Sequence, residues 1–123
     1  MDADLRGHLI LIVESDYDLA SETVRLLRDA GAEVVGPCPS ERAALAAIGQ
    51  RVLTGALVNI NLGSGPSFEI ARTLRARNVP FVLVTNGDDP PIPIEFSNVL
   101  CLEAPVQRTH IARSLARALG AAW

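Results

Sequence analysis

The chain has 123 residues, 49% of them hydrophobic, which suffices for one buried core and makes 1–123 a single domain. Its formal net charge is -3 and all 11 basic residues are scattered arginines, a pattern that excludes sequence-independent nucleic-acid binding through clustered cations. The polar, acidic start Met1–His8 precedes only five apolar residues, so neither a secretion signal nor a membrane span is expected, and a cytoplasmic location is.

The elements alternate. His8 to Val13 reads as a buried strand, and Tyr17 to Ala30 as a helix with Leu19, Thr23, Leu26, Leu27 and Ala30 on one face, closed by Gly31. Ala32 to Val35 is a short second strand, broken by Gly36-Pro37-Cys38-Pro39. Ser40 then caps a helix to about Ile48, which Gly49 ends. Ala56 to Ile60 is a third, wholly apolar strand. Pro66 is expected to open a helix to about Arg77, and Val79 to Val84 is a fourth strand ending in Thr85 and the turn Asn86-Gly87.

Prolines crowd the segment from Pro90 to Ser97, with Ile92, Ile94 and Phe96 as its apolar anchors, so no regular long helix fits there and a short turn is expected instead. Val99 to Leu102 forms a fifth strand, and Thr109 to Ala121 an amphipathic helix with Ile111, Leu115, Ala118 and Leu119 inward. Continuous apolar strands separated by helices imply an α/β fold. The expected architecture is a doubly wound, five-stranded parallel sheet of flavodoxin-like order 2-1-3-4-5, with functional groups at the carboxyl ends of the strands.

Those ends carry Glu14, Ser15 and Asp16 after strand one, Asn59 after strand three, Thr85 after strand four and Ala104 after strand five. Through Leu11-Ile-Val-Glu-Ser-Asp, Leu57-Val-Asn-Ile-Asn-Leu-Gly, Val79-Pro-Phe-Val-Leu-Val-Thr and Leu102-Glu-Ala-Pro, essentially the whole chain resembles the receiver domain of two-component response regulators. The resemblance implies an acidic pair after strand one that binds magnesium, a phosphate-accepting Asp on strand three, a hydroxyl after strand four and a Lys before proline. Glu14 keeps the first acidic position and Thr85 the hydroxyl. Ser15 stands at the second acidic position, Asn59 at the acceptor, Ala104 at the Lys, and Cys101 at the position of the family's switch aromatic.

An amide is neutral and delocalised and cannot replace a carboxylate as nucleophile. With one matched carboxylate, magnesium binding is expected to be weak or absent, with Glu14 and Asp16 as weak metal candidates. The expectation is a pseudo-receiver, not an enzyme, that needs no cofactor and acts by protein–protein recognition in two-component or phosphorelay signalling. Its implied partners are a histidine kinase, another regulator or a component of a sigma-factor network. Ile111, Leu115 and Trp123 are the candidate interface, with homodimerisation through the same face. The alternative is a flavodoxin-like domain that holds a small ligand in the degenerate pocket.

Other chemistry-bearing residues carry less. Cys38 and Cys101 lack ligand spacing, His8 and His110 have no nameable partner, and Asp88-Asp89 reads as a solvated loop. Gly63-Ser-Gly-Pro lacks the Lys of a phosphate-binding loop and is expected to turn into helix three.

Overall fold

A computed structural model describes residues 4–121, the side chains of 108, 109 and 121 excepted. The chain runs β1 (Leu9–Val13), α1 (Tyr17–Asp29), β2 (Glu33–Cys38), α2 (Glu41–Gln50), β3 (Gly55–Asn59), α3 (Glu69–Ala76), β4 (Phe81–Thr85), a single 3-10 turn (Ile94–Phe96), β5 (Cys101–Glu103) and α4 (Arg108–Ala121). All pairings are parallel and the strand order is β2-β1-β3-β4-β5. The expected doubly wound sheet is therefore present.

Strand side chains alternate between the two faces of a sheet, so the apolar runs of β1, β3 and β4 supply two cores at once. Leu11, Val13, Ala56, Val58 and Leu83 pack with Ala44, Ile48, Ile70 and Leu74 on the side covered by α2 and α3. Ile10, Ile12, Leu57, Val82 and Val84 pack with Leu27, Ile111, Leu115 and Leu119 beneath α1 and α4. Each Leu, Ile or Val of the strands buried in this way contributes on the order of 1.5–3 kcal/mol of apolar transfer.

Helix caps follow the local chemistry. Asp16 caps α1 by accepting from the Leu19 amide at 3.0 Å, and Ser40 caps α2 by accepting from Ala43 at 3.1 Å. Gly31, with φ +99°, ends α1 as expected.

Several boundaries differ from the sequence reading, among them those of β4, which starts at Phe81 rather than Val79, and of β5, which is Cys101–Glu103 rather than Val99–Leu102. β2 does not stop at Val35: it runs through Gly36 and Pro37 to Cys38, with the register slipping between Leu11 and Val13. Gly36 takes φ +99°, a conformation open to glycine, and the strand resumes with Cys38 opposite Val13. α2 continues through Gly49 to Gln50. α3 starts at Glu69 rather than Pro66, because Pro66 instead forms an antiparallel bridge with Asn61 and the Ser67 amide donates to the Ile60 carbonyl at 2.8 Å.

The fourth crossover holds only the short turn, as the prolines require. It is clamped onto α3 rather than left loose. Phe96 is 1% exposed and stacks on Phe68 with centroids 5.9 Å apart, while Phe81 meets it edge-on. Arg75 lies over the same ring at 4.9 Å and donates to the Glu95 carbonyl, and Arg72 pairs with the Glu95 carboxylate at 2.9 Å.

The expected interface requires correction. Ile111 is 5% exposed and Leu115 0%, both buried against β1, β3 and β4. The 3.6-residue period that marks an apolar face cannot distinguish a core face from a docking face, and here the sheet takes it. Trp123 lies outside the described residues.

Candidate functional site

β1 and β3 are neighbours in parallel register, Val13 opposite Val58, so the residues that follow them, Glu14 and Asn59, emerge side by side at the carboxyl edge of the sheet. Glu14 is held by its own backbone, whose amide donates to the Cys38 carbonyl at 3.0 Å, and only 9% of it is exposed. A carboxylate so buried must be satisfied by donors. The Asn59 side-chain nitrogen donates to Glu14 Oε1 at 3.0 Å, and the Asp16 amide donates to Glu14 Oε2 at 3.0 Å.

The other end of the Asn59 amide is also engaged, Oδ1 accepting from the Asn61 backbone at 2.9 Å. Asn61 extends the chain of contacts. Its Oδ1 accepts from Gly63, and its Nδ2 donates to Asp89 Oδ1 at 3.3 Å in the loop after β4. Asp89 Oδ2 in turn accepts from the Asn86 amide at 2.7 Å. The loops that follow β3 and β4 are thus tied together.

The remaining expected site residues divide. Thr85 stands at the end of β4, where its carbonyl accepts from the Ala104 amide at 2.7 Å and its hydroxyl accepts from the exposed Cys101 thiol at 3.7 Å. Glu14, Asn59, Thr85, Cys101 and Ala104 therefore gather at one end of the sheet. Ser15 is exposed beside them. Asp16 is also exposed, and its carboxylate caps α1, so it turns away from the role of second metal ligand.

Among the described residues no group of three or more His, Cys, Asp and Glu side chains forms a ligand set, and neither ion pair places a cation on Glu14. The residues present do not fit the divalent ion that the resemblance implies: one carboxylate faces the pocket, with a donor on each oxygen. Beneath the pair lies a cavity of about 20 Å³ lined by Thr23, Leu57, Val106 and Ile111, room for a single water.

Outside this cluster the groups have structural roles. His8 Nδ1 lies 3.0 Å from the Thr54 hydroxyl, which also accepts from the Leu9 amide and ties β1 to the start of β3. His110 and Asp88 are exposed, and Gly63 and Gly65 take positive φ in the turn before α3. Cys38 is buried, and burial pushes its thiol pKa up. Sequence reasoning missed Asn61, Asn86 and Asp89. The Asn61-Leu62-Gly63 spacing carries the local turn, but nothing in the sequence couples it to Asp89.

No family model and no curated protein matches this chain. Among solved structures it is similar to SdrG from Sphingomonas melonis Fr1, at 29% identity, over 97% of this chain and 98% of that one, with a TM-score of 0.77. It is also similar to a response regulator receiver protein from Sinorhizobium medicae WSM419, at 20% identity over 98% and 100% of the two chains, with a TM-score of 0.80. A third, at 21% identity over 93% and 98% and a TM-score of 0.74, is the receiver domain of the sensor histidine kinase PA1611 from Pseudomonas aeruginosa PAO1, which has a magnesium ion coordinated in its active-site cleft. The fold is that of response regulator receiver domains. No helix among the described residues is long and apolar enough to cross a membrane.

Proposed function

We propose that this chain is a receiver-fold module of two-component signalling that accepts no phosphoryl group and acts by binding another signalling protein in the cytoplasm. One observation carries the reading: the Asn59 amide donates to Glu14 Oε1 at 3.0 Å, at the position where receivers place the nucleophile. An amide nitrogen has no lone pair free for attack on phosphorus, and here its N–H supplies Glu14 with the compensation that a metal ion would otherwise give. Both oxygens of Glu14 are satisfied internally, and Asn61 and Asp89 tie the loops after β3 and β4 together. This supports a protein that needs neither magnesium nor catalysis.

A receiver that cannot be phosphorylated changes state only through a ligand with unequal affinity for its states, and a protein partner fills that role. Ile94, 90% exposed on the clamped turn, and the exposed Cys101 and Glu103 of edge strand β5 make the outward surface of the last third of the chain. They replace Ile111 and Leu115 as the proposed contact residues. The cavity of about 20 Å³ under the site disfavours a small ligand held there.

The test is intact mass after incubation with acetyl phosphate and magnesium, beside an Asp-bearing receiver as positive control. No adduct is expected, and a stoichiometric phosphoryl adduct overturns the reading.

A further inference from the structure

At the opposite end of the sheet, where β4 begins, the loops leading into β4 and β5 border a groove of about 550 Å³. The length of β4 separates it from the Glu14–Asn59 pair by about 13 Å, at about 3.3 Å per residue. Its volume falls in the range of small-molecule sites, and four of its ten lining residues are polar or charged. Phe81 and Leu100 are among its apolar lining residues, and Asn78, Asn98, Arg75 and Arg117 are its polar ones.

The two arginines set the chemistry. None of the residues that line the groove is acidic. Arg75 bonds the backbone carbonyl of Glu95 and stacks on Phe96, while the Glu95 carboxylate is taken by Arg72, so Arg75 keeps an uncompensated charge on a guanidinium already held in place. Arg117 is exposed on α4 and has no carboxylate partner among the described residues. Two arginines without a carboxylate partner among the described residues thus line one groove that has no acidic residue in its lining.

From this juxtaposition we infer that the groove is a binding site for a small organic anion with an apolar body, of the class of aryl or alkyl carboxylates. The carboxylate accepts from the guanidinium forks and the side-chain amides of Asn78 and Asn98, and the apolar body covers Phe81 and Leu100. The site is independent of the Glu14–Asn59 pair at the other end of the sheet.

The test uses amide chemical shifts of the full chain titrated with phenylbutyrate, with phenylbutanol and acetate as the neutral and the apolar-free controls. Saturable shifts confined to 78–81 and 98–100 are expected with phenylbutyrate alone. Arg117→Gln should weaken binding about tenfold, the scale of one charge-assisted hydrogen bond, and Arg113→Gln, exposed on the same helix, should leave it unchanged. Scattered or unsaturable shifts, equal shifts with phenylbutanol or acetate, or equal affinity in a folded Arg117→Gln protein would each overturn the assignment.

Discussion

Asn59 and Glu14, 45 residues apart in sequence, share a 3.0 Å hydrogen bond in which the amide nitrogen donates to a carboxylate that is 9% exposed. The polarity of that bond organises the whole end of the sheet. A carboxylate at position 59 would oppose Glu14 at the same distance, with no cation between them.

Asn59→Asp alone should therefore destabilise the fold at neutral pH by about 1–3 kcal/mol, through a lost donor and a like-charge contact. The like-charge contact exists only while both carboxylates are ionised, so the penalty falls when acidification protonates one of them. Urea melts of the variant and the native chain at neutral and mildly acidic pH check this: the gap should close on acidification.

Restoring the whole set should restore the chemistry. Asn59→Asp with Ser15→Asp and Ala104→Lys places a nucleophile, a second ligand and a cation at positions that this backbone already gathers. Magnesium-dependent phosphorylation by acetyl phosphate is expected, read by intact mass. A folded triple variant that takes no phosphate would show that the backbone is not poised for it.

The turn after β4 provides a contrast within three residues. Phe96 is 1% exposed between Phe68, Phe81 and Arg75, and Phe96→Ala should cost about 3–5 kcal/mol. Ile94 is 90% exposed, and Ile94→Ala should stay within about 0.5 kcal/mol while weakening partner binding. Equilibrium denaturation separates the two.

At Gly36 the backbone φ is +99°, and an added Cβ would lie 2.7 Å from the Cys38 nitrogen and 2.8 Å from the Ile12 oxygen. Both neighbours are backbone and cannot swing aside. Gly36→Ala should cost at least about 1–3 kcal/mol in denaturation experiments.

The two thiols should react in order. Cys101 is exposed, whereas Cys38 is buried with its pKa raised by desolvation, so it offers little thiolate near neutral pH. Iodoacetamide on the native chain should give one adduct, on Cys101 by peptide mapping, and a second only after unfolding. The raised pKa also means that the neutral Cys38 thiol favours the fold, a contribution lost as pH rises through that value.

Much of this protein is written locally. Apolar runs between Ser40, Gly31 and the proline-rich segment determine five strands, their helices and the shortened fourth crossover, because caps, breakers and periodicity act over a few neighbouring residues. The residue types at 14, 59, 85 and 104, a carboxylate, an amide, a hydroxyl and an alanine, are equally read from the sequence alone. What only the tertiary structure decided is non-local. The sheet buried Ile111 and Leu115, and β2 continued past Gly36 because Val13 was there to pair with Cys38. Asn61 found Asp89 across 28 residues, a hydrogen bond that sequence spacing cannot encode because its geometry exists only once β3 and β4 lie side by side.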